Sequence, residues 1–410
     1  MKQIQSIEEL YTGLIEGPGE SECEGEGDFK GKRNGGSTLF VVPRIRYDVR
    51  RSDYLYQLYR PMLSSDRSNP SGHLDGVMNH STPLTVRSLS FWEHRLLLKA
   101  VFQAPSRSLL HYHWFEIQDL RSLAGMVWKW FCLFWFRKRG GKIVWTIHNR
   151  MPHNPVFPRL NLVMRRWLAS VSDRIHLHCR EIADDVQEYY RVDASKIVVL
   201  PHPTFEARIL ERTTARNTLS QTRNLPINPK DTLFLMFGQI SHYKQIVPVC
   251  DLFAAMKGAE PLAESGPAGG TEQQAESGPA GGTEQQAESD PAGGVYRLLI
   301  AGPVKKGQQS VLRQIQTIAD HSDNIHIIAD WIPDEEMDLL FSASDCVILN
   351  MKEIWMSGVA MMARSYQKPL ILPRTGCLPS LNQPGSSSML HFFSDHKELT
   401  DAIQQFRRTT

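Results

Sequence analysis

Short apolar runs recur along this chain from Thr38 onward, separated by stretches whose apolar residues fall at helical spacing. Thr38–Val42, Leu84–Leu89, Ser108–Trp114, Lys142–His148, Arg174–His178 and Lys196–Leu200 read as strands buried on both faces. Helical patterns cover Phe91–Phe102, Leu120–Arg137, Arg159–Ser170 and Arg180–Tyr190. Strand alternating with helix predicts a parallel sheet clothed by helices. A second series has strands at Thr232–Phe237, Tyr296–Ala301, Asn324–Ile328, Cys346–Asn350 and Pro369–Pro373, and predicts a second such sheet.

The polar stretches divide the chain. Residues 1–37 end in a run dense in glycine and charge, which predicts a disordered leader. Residues 38–205 form the first predicted domain, 206–230 a polar linker dotted with Pro and Asn, and 231–410 the second domain. Residues 64–82 read as a long loop. A twelve-residue unit starting at Ala263 repeats from Ala275 and begins again at Ala287. It has almost no apolar side chains to bury, so 259–294 is expected to be a disordered insertion in a helix-to-strand connection.

A length of 410 residues agrees with two domains, and the 41% apolar content suits a globular protein. A net charge of +2 makes no electrostatic case for nucleic acid. The six cysteines are scattered without a CxxC pair, which argues against zinc and against a disulfide framework. They are expected to be buried thiols in a reducing compartment. The first residues lack the apolar core of a secretory signal, and no run is long enough to span a bilayer. The expectation is a cytoplasmic protein.

Candidate chemistry gathers where predicted strands end. Asp345–Asn350 leads through a loop to Ser357 and Gly358, where a helix carrying Val359 should begin. Ser caps a helix well, Gly admits a ligand close to the backbone, and free N–H groups there favour a phosphate. Phe237–Gly238 closes the first strand of the second series, with Lys244 shortly after it. Trp145-Thr-Ile-His148-Asn149-Arg150-Met-Pro-His153 and His111-Tyr-His113-Trp114-Phe-Glu116 end two strands of the first series. Alternation puts His111 and His113 on one side of their strand. Each residue also has an ordinary reading: a solvated lysine, a helix cap, a loop histidine or a core aromatic.

The spacing of Asp334-Glu-Glu, Leu339-Leu340, Asp345, Ser357-Gly358, Ala363, Lys368-Pro369 and Gly376 resembles the donor half of GT-B glycosyltransferases. The His148 and His113 segments are similar to the "W-T-x-H-N-x-x-P-H" and "H-x-H-W" elements of family-4-like, xanthan-type exopolysaccharide enzymes. The resemblance implies an α/β fold of two Rossmann-like parallel-sheet domains facing across a cleft. It implies a nucleotide-sugar donor, GDP- or UDP-linked, on Gly238, Lys244, Ser357, Gly358 and Val359. A carbohydrate or lipid-linked acceptor would lie near His111, His113, Trp114, Asn149 and His153. Catalysis would fall to His148, Glu353 and Lys244, with Lys244 facing the departing diphosphate and Glu116 an alternative base. Such enzymes usually work without metal or other cofactor. The family's second carboxylate, eight positions after Glu353, is here Met361, which leaves the ribose contact and the stereochemistry open. A GT-B-like scaffold without catalysis is the rival reading.

Residues 120–139 are rich in Trp and Phe and end in Arg137-Lys-Arg139. Two readings stand: a core helix of the first sheet, or a helix lying on the anionic inner face of the cell membrane.

Overall fold

The computed structural model describes residues 1–15, 37–63, 84–117, 119–152, 157–256, 294–351, 354–382 and 389–406. Their strands are β1 (Lys2–Gln3), β2 (Ser37–Val42), β3 (Leu84–Ser88), β4 (Ser108–Tyr112), β5 (Lys142–Thr146), β6 (Arg174–Leu177) and β7 (Ile197–Val199), then β8 (Thr232–Phe237), β9 (Tyr296–Ala301), β10 (Ile325–Ile328), β11 (Cys346–Ile348), β12 (Leu370–Pro373) and β13 (Leu390–Phe393). The α-helices are α1 (Glu9–Ile15), α2 (Tyr54–Tyr59), α3 (Arg95–Gln103), α4 (Leu120–Lys138), α5 (Pro158–Val171), α6 (Ala183–Tyr190), α7 (Arg212–Arg223), α8 (Ile246–Ala255), α9 (Gln309–Ala319), α10 (Asp334–Ala343), α11 (Gly358–Ser365) and α12 (His396–Gln404).

Strands β1 to β7 make one sheet in the order β1-β7-β6-β5-β4-β2-β3, and β8 to β13 make another in the order β10-β9-β8-β11-β12-β13. Every pairing is parallel. In the first sheet the strand order reverses between β2 and β4, and in the second between β8 and β11. Open parallel sheets bind ligands beside such reversals, at the carboxyl ends of the strands. The strands predicted from apolar runs all form; β1 and β13 were not predicted.

Two compact units result. One comprises Met1–Ala207 with Met351–Ser365 and Arg374–Ser387; the other comprises Arg208–Asn350, Tyr366–Pro373 and Ser388–Thr410. The first unit therefore takes in two segments that the sequence reading placed in the second domain. Trp355 and Cys377 are buried in its core with Trp145, Leu177 and Ile182. Gly376 permits this seating: its φ is +57°, and a Cβ there would lie 2.3 Å from the Ile354 carbonyl oxygen.

Three expectations need correction. The leader is ordered over residues 1–15: β1 adds to β7, and Ile4, Ile7, Leu10 and Tyr11 are buried. Their apolar side chains find a core, while residues 16–36 lie outside the described residues. The linker contains α7, which packs on α10. Arg216 of α7 is buried and donates to Asp345 and to the carbonyls of Asp231 and Ala343. Lastly, Cys179 and Cys377 form a disulfide within the first unit, whereas Cys132, Cys250 and Cys346 are buried thiols. The two half-cystines are 198 residues apart, so no local spacing announced the pair. The loop 64–82 and nearly all of the insertion, residues 257–293, fall outside the described residues.

Candidate functional site

The carboxyl ends of β4, β5, β6 and β7 bring together six histidines of the first unit: His111, His113, His148, His176, His178 and His202. Adjacent strands deliver them in register, with His111 beside Val144 and Thr146 beside His176. His111 and His113 stack at 4.2 Å, as their alternation requires.

Hydroxyl groups knit the rings. Tyr11 Oη and Tyr59 Oη each lie 2.6 Å from His111 Nδ1, and Tyr59 Oη lies 2.9 Å from His113 Nε2. Thr146 Oγ1 bridges His111 Nε2 at 2.6 Å and His176 Nδ1 at 2.8 Å. His113 Nδ1 is 3.3 Å from His148 Nε2. Tyr54 presents ring edges to His148 and His178, and its Oη is 3.3 Å from His178 Nε2.

Burial disfavours the charged imidazolium throughout. It holds His111, His113, His148 and His178 well below the usual histidine range and brings His176 and His202 to about 4. All six rings are therefore neutral near pH 7. Among the described residues no group of three or more His, Cys, Asp or Glu is arranged to hold a metal ion.

His111 and His113 are fully enclosed, so neither ring is exposed for the expected contact with an acceptor; His113 instead meets His148. His148 is half-buried and Trp114 is 37% exposed. Asn149 is also half-buried, its carbonyl accepting from Arg165 Nη2 at 2.7 Å. His153 and Glu353 lie outside the described residues. His176, His178, His202, Tyr54 and Tyr59 were not singled out from sequence. A cavity of about 330 Å³ adjoins this cluster, its wall including His178, Cys179, Arg180, His202, Met361 and Arg364.

The expected donor residues fall in both units. Ser357, Gly358 and Val359 belong to the first, where the Ala360 N–H donates to Ser357 Oγ at 3.3 Å and so caps α11. Gly358 has open space: a Cβ there would meet only Phe205, at 3.9 Å. Gly238 and Lys244 belong to the second unit, after β8 at the reversal of strand order. Gly238 has φ +89° and touches Gly302, where a Cβ would come 2.5 Å from the Gly238 carbonyl oxygen. Lys244 is buried, and its Nζ donates to the Phe237 carbonyl at 2.6 Å. Desolvation lowers its pKa to about 7. It makes no ion pair with a carboxylate among the described residues.

The family model described as Glycosyltransferase Family 4 matches residues 69–204. No curated protein matches the chain in sequence. Solved structures match it over most of its length. Anabaena HepE, in complex with UDP and glucose, is 12% identical with a TM-score of 0.55, over 90% of this chain and 89% of that one. Sucrose-phosphate synthase of Thermosynechococcus elongatus is 13% identical with a TM-score of 0.54, over 90% and 89%. An α,α-trehalose-phosphate synthase of Burkholderia vietnamiensis is 12% identical with a TM-score of 0.51, over 90% of each chain. Residues 69–204 thus resemble Glycosyltransferase Family 4, and the two parallel α/β sheets have the GT-B fold of these solved structures.

Proposed function

We propose that the protein moves a sugar from a UDP- or GDP-sugar to a carbohydrate or lipid-linked acceptor. The observation that carries this reading is His148: a neutral, half-buried imidazole whose Nδ1 has no partner among the described residues, stacked on the exposed Trp114. Such a group can take a hydroxyl proton near neutral pH. In a single displacement the acceptor oxygen bonds to the anomeric carbon, its proton passes to His148, and the bond to the diphosphate oxygen breaks. The electron pair of that bond leaves with the nucleoside diphosphate, and no metal or cofactor enters this scheme; Lys244, in the second unit, is the cation assigned to donor binding. Support for the donor comes from Anabaena HepE, which is described in complex with UDP and glucose. Trp114 offers the acceptor an apolar ring face, and Asn149 a polar neighbour.

Contact with a membrane surface is part of this reading. One face of α4 is core (Met126, Leu133, Phe136), while Leu120, Val127, Phe131 and Phe134 form an exposed stripe near Arg137 and Lys138. Among the described residues no helix is long and apolar enough to cross a membrane. An apolar stripe beside cations suits an anionic membrane surface.

Thermal-shift measurements with UDP, GDP and ADP sugars, paired with an assay of nucleotide release, test the proposal. One nucleotide should raise the melting temperature of wild type and His148→Ala but not of Lys244→Ala. Turnover should be lost in both variants. Full turnover by His148→Ala would remove the proposed base. Vesicles containing phosphatidylglycerol should sediment wild type but not a Val127→Ser/Phe131→Ser variant.

A further inference from the structure

Six hydrogen bonds run end to end beneath His148, and the atom at their far end can only accept. That end is the Leu200 carbonyl, so His176 Nε2, 3.0 Å away, carries a proton. His176 is neutral, hence its Nδ1 is bare and accepts from the Thr146 hydroxyl. With its one proton used, Thr146 Oγ1 accepts from His111 Nε2. His111 is neutral too, so its Nδ1 is bare and needs a phenol proton.

Tyr59 supplies that proton. Tyr11 Oη lies equally close to His111 Nδ1, at 2.6 Å, but donates to Tyr59 Oη at 3.3 Å, which leaves Tyr59 to donate to His111 at 2.6 Å rather than to His113 at 2.9 Å. Tyr59 Oη then has a lone pair left for His113 Nε2–H. The neutral His113 keeps a bare Nδ1, which accepts from His148 Nε2. His148 is left with its proton on Nε2 and a bare Nδ1. Because the chain ends on a carbonyl, which has no proton to hand on, it orients groups rather than conducting protons.

We propose that Tyr59 and Thr146 are positioning residues: through this chain they hold His148 in the Nε2–H tautomer and leave Nδ1 free to accept the proton of the sugar acceptor. The catalytic consequence rests on His148 being the base, but the tautomer does not.

Long-range ¹⁵N NMR of the histidine rings in the full chain separates protonated from bare nitrogens. Wild-type His148 should show a bare Nδ1. Tyr59→Phe and Thr146→Val should convert this to a mixture, and Thr146→Ser should restore it. Tyr54→Phe removes a hydroxyl outside the chain and should leave the His148 tautomer unchanged. In turnover, Tyr59→Phe and Thr146→Val should lower kcat by about tenfold to a hundredfold with KM unchanged. A wild-type His148 protonated on Nδ1 would overturn the proposal, and this measurement stands even if both variants fail to fold. So would a tautomer indifferent to both variants in folded protein. A tautomer that shifts as expected while His148→Ala retains turnover would keep the chain of bonds and remove only the base.

Discussion

Trp114 lies flat against His148, with ring centroids 4.5 Å apart and planes 11° from parallel. Tyr54 meets the same imidazole edge-on at 5.0 Å, so the ring is held by one aromatic face, one aromatic edge and the bond to His113. Such ring pairs contribute about 0.5–1.5 kcal/mol beyond area burial. Trp114→Ala should therefore loosen the base more than the fold. We expect kcat/KM about tenfold lower, a melting temperature nearly unchanged, and substantial recovery in Trp114→Phe. Steady-state kinetics beside thermal melts check this; equal loss in the Ala and Phe variants would mean stacking is irrelevant.

The buried imidazoles tie stability to pH. His176 and His202 have pKa values of about 4 in the folded chain, lowered by burial, against an ordinary 6.5. Below 6.5 the unfolded chain binds protons that these folded groups refuse, so stability is complete above 6.5 and drains as pH falls towards 4. Each group removes about 1.4 kcal/mol per pH unit within that window. A melting temperature that stays level from pH 7 to pH 4.5 would contradict the neutral cluster.

Lys244 predicts a proton count. Its folded pKa is about 7, so at pH 8 it is mostly uncharged. A bound diphosphate favours the ammonium and raises that pKa, so nucleotide binding at pH 8 should take up protons. Calorimetry in buffers of different ionisation enthalpy measures the uptake, which should be absent in Lys244→Met. Binding without uptake in wild type would place the diphosphate away from Lys244.

Asp345 matches the aspartate of the donor-half pattern, and its role here is to anchor α7. It accepts from Arg216 Nη2 at 2.6 Å, Arg212 Nη1 at 2.8 Å and the Leu233 N–H at 2.7 Å. Removing one partner of a buried pair strands the other charge, at a cost of about 3–5 kcal/mol. Asp345→Ala should lower stability by that order in chemical denaturation. A loss below about 1 kcal/mol would show the pair to be dispensable.

The disulfide Cys179–Cys377 closes a long loop, its half-cystines 198 residues apart. Loop-closure entropy in the unfolded chain gives it a stabilising effect of about 5 kcal/mol. Cys179→Ser should melt well below wild type, and a reductant should lower the wild type alone. Equal melting of oxidised and reduced wild type would sink this estimate.

Both sheets were legible in the sequence because strands buried on two faces must be apolar along their whole length, as Leu233–Met236 and Leu298–Ala301 are. The alternation that puts His111 and His113 together was equally local, since side chains on a strand change sides at every residue. The two-residue strand β1 had no such signal: its ladder is supplied by β7, nearly two hundred positions away.

The site divides in the same way. Trp114, His148, Gly238 and Lys244 stand directly after strands, where a reader of one sequence looks for chemistry. His176, His202, Tyr54 and Tyr59 carry no motif, and their meeting depends on β2, β4, β5, β6 and β7 lying side by side in one sheet in that order. The sequence by itself determined the elements and the chemistry at their ends, through rules that act over a few residues. Only the tertiary structure decided that six histidines converge, that His111 and His113 are buried, and that Cys179 meets Cys377, because strand order and burial are properties of the assembled core.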